Sequence, residues 1–411
     1  MAQATRTFVG LDIGTTKINC IVAEQASSGE VRIVGVGNAP SEGLRRGVVV
    51  ELEKTITSIG RAVEEAERMA GTEVKGVYAG IAGDHIRSIN SRGVIAVARK
   101  DNEIASADVE RVVEAAKAIA IPMDREIIHV IPQEFLVDDQ DGIKDPVGMS
   151  GVRLEAEVHI ITGAVTSAKN ICRAIQRTGL KVHDLVLEPL ASAQAVLDDD
   201  ERALGVVLLD IGGGTTDVAV FHEGSIRHTA IIPYGGASVT SDIAIGLRTP
   251  IDKAETLKLQ YGSALASLVP AEELLAVAGV GGRTDREISR HVLASMIEPR
   301  MEEIFALANK EVRKNHFAAL LGGGVVLTGG TSLLPGIAEL AEQVFEMPVR
   351  LGTPRGVGGL AENVADPRFS TGVGLVLHAA AQAGGNGLYS DTASAKPKAR
   401  FDLWNWFSSR F

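Results

Sequence analysis

Cysteine is nearly missing from this chain. Cys20 and Cys172 are the only two in 411 residues, which excludes a disulfide framework or a Cys-built metal site and suits a reducing compartment. Positive charge is in deficit. The 41 Lys and Arg residues against 52 Asp and Glu leave a net charge of −11, which argues against nucleic acid as the main partner. No apolar run approaches the ~18–20 residues of a membrane-spanning helix. Residues 1–7 lack the apolar stretch of a secretory signal, so none is expected. Aromatics make up only 4% of the chain, yet five of the 16 fall in the last 11 residues, both tryptophans among them. What is there is ordinary: 45% hydrophobic and 23% charged residues, with length enough for two to four domains.

An internal echo organises the rest. Residues 9–18, VGLDIGTTKI, and 207–218, VLLDIGGGTTDV, both run from an apolar stretch through Asp-Ile-Gly and Thr-Thr into a second apolar stretch. Asp12 and Asp210 end strand-like runs at 8–13 and 206–211, and a strand resumes after each turn, as at 218–221. Each copy therefore reads as a β-hairpin. A P-loop needs Gly-Lys opening a helix, and no Gly-Lys pair occurs. A dinucleotide fingerprint lies between strand and helix, not between strands. A single copy is better explained by an ordinary turn; two copies in one order are not.

The residue types suit phosphate. Backbone N–H groups around Gly14, Gly212, Gly213 and Gly214 can form an anion nest that side chains would block. Thr15, Thr16, Thr215 and Thr216 add hydroxyls, and Lys17 a point charge for a β- or γ-phosphate. If the two halves are related by pseudo-symmetry, Asp12 and Asp210 face each other, and two carboxylates beside a triphosphate suit a water-rich Mg2+ shell. A third cluster spans residues 322–332. It reads as a strand, a turn at Gly329, Gly330 and Thr331, and a helix from Leu334, a place where base and ribose can lie against backbone.

These three motifs, in this order, resemble the actin–Hsp70–hexokinase ATPase superfamily. The resemblance implies an α/β, actin-like fold with two duplicated ATPase-core halves around a nucleotide cleft. Glu188-Pro189-Leu190-Ala191 is similar to the first connecting helix of that superfamily, and residues 370–374 to the second. By resemblance Glu188 helps place an attacking water, with Asp210 as the other catalytic candidate. Read from the residues alone, Glu188 is also a solvated Glu before a Pro-started helix.

Residues 84–163 narrow the resemblance. Ser106 can cap a helix bearing Val109, Val112, Val113, Ala116 and Ile119 on one face, and strands are expected at 127–131, 134–137 and 153–162. The stretches 129–135 and 145–154 are similar to the FtsA family of bacterial cell-division proteins. His129 reads as a core or surface residue, since no partner is spaced for metal. The resemblance implies subdomain 1A over 1–83 and 164–203, with an inserted subdomain 1C at 84–163. Subdomain 2A then spans 204–239 and 305–369, with an inserted 2B at 240–304, and residues 370–383 return to 1A. In this family Gly236 borders the phosphates, and Glu255 and Lys258 border ribose and adenine; by spacing alone Glu255 and Lys258 are an exposed i, i+3 ion pair. Arg283, Arg286, Arg290 and Arg300 form a basic stripe, interleaved with Ile288, Val292, Met296 and Ile297 at helical spacing, with a break expected at Pro299. A solvated helix with a core face explains it equally well. By resemblance it docks the C-terminal peptide of the tubulin-like protein FtsZ, through Arg286 and Arg300.

Residues 384–400 read as a Gly/Ser/Ala/Pro-rich linker. Beyond it, Phe401, Leu403, Trp404, Trp406, Phe407 and Phe411 share one side of a helical wheel, opposite Asp402, Asn405 and Ser409. Lys396, Lys398, Arg400 and Arg410 against Asp402 give residues 392–411 a net +3, which leaves −14 for the rest. Such a segment folds at an anionic interface, with Arg410 among the lipid-facing cations; docking on the protein's own body is the other reading. In FtsA proteins this segment is a membrane-targeting helix. The resemblance implies an ATP- and Mg2+-binding protein, at most a weak ATPase, at the cytoplasmic face of the bacterial inner membrane. It would self-assemble like actin, anchor FtsZ filaments and help recruit divisome proteins. A soluble sugar-kinase-type phosphotransferase is the competing reading.

Overall fold

The computed structural model describes residues 6–98, 101–270, 272–279, 281, 284–314 and 317–384. The chain divides into two compact units, the larger built from residues up to 88, 122–129 and 161–380, the smaller centred on 89–121 and 130–160.

The larger unit repeats one plan. Strands Val31–Pro40, Lys17–Gln25, Arg6–Ile13, Gly76–Ile81 and Lys181–Leu187 lie side by side in one sheet. Ser225–Ile232, Thr216–His222, Val206–Ile211, Val325–Thr328 and Val349–Leu351 do the same in another. Apart from a short sixth strand, Gly358–Gly359, beside Val31–Pro40 in the first sheet, both run in chain order 3-2-1-4-5, a three-stranded antiparallel meander followed by two parallel strands. Both expected hairpins are present. Val206–Ile211 is buried at every residue, as a strand covered on both faces must be. Helix Leu52–Ala70 buries Ser58, Ile59, Ala62, Val63 and Ala66 on one stripe and stops at Gly71, whose φ of 66° ends it in the left-handed region.

The chain passes from the first half to the second through helix Glu188–Val196 and comes back through Ser370–Gly384. These two helices touch. A Cβ built on Gly374 would lie 1.8 Å from the Ala191 carbonyl oxygen, so the crossing requires glycine.

Several expectations are corrected. Pro299 does not break a helix: Arg290–Lys314 runs through it. The proline removes only the N–H that would reach Ser295, while buried Ile297, Met301, Ile304 and Phe305 hold both sides to one core. Of the helical stripe expected over 283–300, residues 290–300 are helical as expected, while Arg286–Ser289 is a strand leading into that helix. The helix expected from Leu334 begins at Ile337, because Pro335 and a left-handed Gly336 intervene after a short 3-10 turn, Gly330–Leu333.

The smaller unit carries a four-stranded sheet in the order Arg87–Ala96, Arg153–Ala164, Arg125–Val137, Gln140–Ile143. The strands expected at 127–131 and 134–137 are one strand running through Pro132. Its helix, Ser106–Ala116, is capped at Ala105 rather than Ser106; the Asp108 carboxylate accepts the Ala105 N–H at 2.9 Å.

Candidate functional site

The two hairpins have the same register. Asp12 lies opposite Asn19 and Ile13 opposite Ile18; Asp210 lies opposite Asp217 and Ile211 opposite Thr216. Matching the hairpins by register equates Thr15 with Gly213 and Thr16 with Gly214. The repeated Thr-Thr pair of the sequence is therefore not structurally equivalent: Thr215 and Thr216 stand where the first hairpin has Lys17 and Ile18.

The hairpin tips meet. A Cβ on Gly213 would sit 2.3 Å from the Thr16 side chain, and one on Gly214 2.5 Å from Thr15 Oγ1. The contact is reciprocal, as an approximate two-fold axis between the halves demands. Thr15 Oγ1 also accepts the Gly47 N–H at 3.1 Å. Thr216 is used differently, donating its hydroxyl to the Tyr234 carbonyl at 2.9 Å.

Beneath the tips lie four acidic side chains. Asp12, Asp210 and Asp217 are buried, and Glu188, at the start of its helix, is half-buried. Asp12 is pushed up to about 6, by burial first, with Lys17 opposing and Asp210 adding. Glu188 is raised well above the usual range by burial, then by Asp12, Asp217 and Asp210. Asp217 is raised by burial and the same two aspartates, and its Oδ1 has no hydrogen-bond partner. Asp210 is raised by burial against the pull of Ser192, Lys17 and Thr371. Lys17 is the nearby cation; burial lowers it while Asp12 and Asp210 pull it up. Its ammonium donates to the Arg368 carbonyl and lies 5.3 Å from the centre of the Phe369 ring.

Four carboxyls against one ammonium leave the cleft short of positive charge. Among the described residues no three acidic, His or Cys groups are placed to chelate one ion directly. The donor set fits a hydrated divalent cation, held through water and completed by a ligand's phosphates. The orphaned Asp217 oxygen is the observation that favours such an occupant.

The third glycine cluster closes the other side. A Cβ on Gly329, φ 83°, would meet Asp210 Oδ1 at 2.4 Å, so the turn presses its backbone against the carboxylate. Gly330 follows at the start of the 3-10 turn. Thr331 Oγ1 donates to the Gly212 carbonyl at 2.9 Å, and the Gly236 N–H donates to the same oxygen at 2.9 Å. Lys258 reaches the Gly236 carbonyl at 3.1 Å and Glu255 at 2.7 Å. The exposed ion pair expected there is corrected: Lys258 is only 8% exposed, because its aliphatic stem lies in the helix packing while its head points at Gly236. These contacts link Thr15, Thr16, Gly212, Gly213, Gly214, Gly236, Glu255, Lys258 and Thr331 into one network.

The predicted docking arginines both lie against helix Gly236–Leu247, each engaged within the chain. Arg286 lies in its strand and donates to the Leu247 carbonyl at 2.6 Å. Arg300 makes a two-pronged pair with Asp242 at 2.6 and 3.1 Å, also meets Glu303, and stacks 5.3 Å above Tyr234. Arg283 and residues 385–411, with the predicted linker and all the predicted membrane residues from Phe401 to Phe411, lie outside the described residues. Sequence reasoning missed Asp217, Ser192 and Thr371. Counting seven residues on from Asp210, as Asn19 is from Asp12, finds the first; Thr371 falls in the 370–374 segment that resembles the second connecting helix, and Ser192 just after the segment that resembles the first.

Similarity to known proteins agrees with this geometry. A family profile described as cell division protein FtsA matches residues 207–374, and one described as the SHS2 domain inserted in FtsA matches 83–162. The cell division protein FtsA of Pseudomonas aeruginosa is 51% identical over 376 residues, covering 92% of this chain and 90% of that one. Among solved structures, the PilM–PilN type IV pilus biogenesis complex superposes with a TM-score of 0.66 at 16% identity, covering 90% of this chain and 97% of the other. MreB5 of Spiroplasma citri bound to ADP gives 0.57 at 15% identity, covering 92% and 98%. The fold is the expected actin-like one, with two duplicated halves about a cleft.

Proposed function

The chain belongs to the FtsA family of cell-division proteins within the actin-like superfamily, and on that premise we propose that it is an ATP-switched membrane tether for FtsZ filaments. It binds ATP with Mg2+ between its halves, assembles with further copies of itself, and helps recruit other divisome proteins. The amphipathic segment 401–411 holds it to the anionic, cytoplasmic face of the inner membrane at the division site.

One observation carries the nucleotide part of this reading: two hairpin tips in reciprocal contact above a cluster of protonation-prone carboxyls with one lysine. Phosphates fit the backbone N–H groups of the tips, and Lys17 supplies a charge once released from the Arg368 carbonyl. Bound Mg2+ would neutralise the oxygens of the phosphates and be held by Asp12 and Asp210 through water. Burial raises the Glu188 carboxyl well above its usual range, and on this reading it would orient an attacking water, with hydrolysis slow at most. ATP then acts by favouring the closed arrangement of the halves. At the second insertion, an FtsZ peptide binding Arg300 must displace Asp242 from it.

Co-sedimentation with FtsZ and anionic liposomes tests the whole. FtsZ should pellet with liposomes only when the full chain is present, and more so with ATP. Removal of residues 401–411 should release the protein from liposomes and leave ATP binding intact; sedimentation unchanged by that deletion would sink the anchor. Asp210→Ala should weaken Mg–ATP binding. Fast phosphoryl transfer to a sugar would favour the kinase reading instead.

A further inference from the structure

Asp210 is held by both helices that connect the halves. Ser192, on helix Glu188–Val196, donates to Asp210 Oδ2 at 2.6 Å. Thr371, on helix Ser370–Gly384, donates to the same oxygen at 3.3 Å and lies 3.0 Å from Ser192 Oγ. All three side chains are buried. Ser192 and Thr371 have one hydroxyl proton each. Ser192 gives its proton to Asp210, and Thr371 directs its own toward the same Asp210 oxygen and Ser192 Oγ. Both end on an acceptor that must keep a lone pair.

The place of these hydroxyls in the fold gives them leverage. Ser192 follows Ala191, whose carbonyl oxygen abuts Gly374, and Gly374 lies one helical turn beyond Thr371. The hydroxyls thus sit at the contact between the two chain crossings. Asp210 Oδ2 faces these helices, while Oδ1 faces the Gly329 turn of the cleft.

We propose that Ser192 and Thr371 are positioning residues that couple the metal-side carboxylate of the cleft to the two connecting helices. They aim Asp210, and they let the helices register whether it serves a hydrated cation. A cation that draws charge from the carboxylate weakens it as an acceptor and loosens the serine; an empty cleft tightens it. The inference rests on the Mg–nucleotide reading above.

The test compares Ser192→Ala, Thr371→Val and Thr371→Ser with the parent chain, using a fluorescent ATP analogue in Mg2+ and in EDTA. Hydrogen exchange is followed in residues 188–196 and 370–384 with and without saturating Mg–nucleotide. The gain in affinity that Mg2+ confers should fall about tenfold in Ser192→Ala and Thr371→Val, the scale of one lost hydrogen bond to a charged group. Binding in EDTA should stay as in the parent. The nucleotide-induced change in exchange of the 370–384 helix should vanish in those two variants and return in Thr371→Ser, which keeps the hydroxyl. A packing role alone would not distinguish Thr371→Val from Thr371→Ser by metal dependence. If the parent shows the Mg2+ gain and both variants retain it with the same exchange change, the coupling is wrong and the nucleotide reading stands. If the parent binds no nucleotide with metal dependence, both fall. Thr371→Ser keeps the test decisive should Ser192→Ala fold poorly: a loss there equal to that of Thr371→Val would also overturn the coupling.

Discussion

Asp12 stores a pH dependence that one substitution removes. Its carboxyl titrates near 6 in the folded chain against 3.8 in the unfolded one, chiefly through burial. The native state therefore holds the proton more tightly. This contribution to stability is fully present below pH ~4 and is lost as pH rises through about 6. Asp12→Asn cannot lose a proton. In EDTA, chemical denaturation at pH 4 and pH 7 should show the variant's stability falling less over that interval, by on the order of 3 kcal/mol. A variant profile parallel to the parent's would refute the assignment. On the proposed reading, Mg–nucleotide affinity should rise between pH 5.5 and 7.5, since the cation needs the ionised form. At this scale the sequence was only half legible. Asp12 and Asp210 announced themselves by repeating, but Asp217 did not, because Asn19 occupies its place in the first hairpin. Ser192 and Thr371 are 179 positions apart and meet only through the crossing of two helices.

The crossing itself decides a prediction at the level of elements. Gly374→Ala forces a methyl group to within 1.8 Å of the Ala191 carbonyl oxygen, and neither helix can yield without moving a half. Overpacking of this kind costs about 1–3 kcal/mol, and here it also separates the helices that carry Ser192 and Thr371. Gly60, inside helix Leu52–Ala70, has nothing within 4 Å of its missing Cβ; Gly60→Ala should instead stabilise by about 0.4–1 kcal/mol. Urea midpoints of the two variants moving in opposite directions would bear this out; a Gly374→Ala midpoint at or above the parent's would refute it. The elements were legible where one local rule governed them. Apolar runs bounded by Asp-Ile-Gly made both hairpins readable, and the i, i+3 spacing of Glu255 and Lys258 falls in a helix, Ile251–Tyr261. Helix ends and interruptions were not. Pro299 reads locally as a break, yet burial of four residues around it overrides the lost hydrogen bond. The Arg286–Ser289 strand is too short for a period to show.

Across the whole molecule, duplication explains both what was readable and what was misread. Two copies of one motif implied two halves and a cleft, and the sheets with their common strand order follow from it. The same echo suggested equating Thr15–Thr16 with Thr215–Thr216, whereas the register pairs those threonines with glycines. A pseudo-two-fold contact needs small residues opposite large ones at its axis, so the copies had to diverge at their tips. Charge is also divided unequally: residues 392–411 carry +3, and the remainder of the chain −14. On the proposed reading, the acidic body is repelled by the same anionic membrane that attracts the tail, so the three cations ahead of Phe401 must overcome that repulsion. Each basic residue at an anionic surface contributes about 1 kcal/mol. Replacing Lys396, Lys398 and Arg400 together by alanine should therefore lower partition onto vesicles rich in anionic lipid by roughly a hundredfold at low salt. Partition onto zwitterionic vesicles, which senses only the aromatic face, should be unchanged. Added salt should erode the parent's advantage on anionic vesicles, because the attraction acts within a screening length of ~10 Å at 0.1 M. An equal loss on both vesicle types would mean that these residues support the fold of the tail rather than its attraction to the membrane.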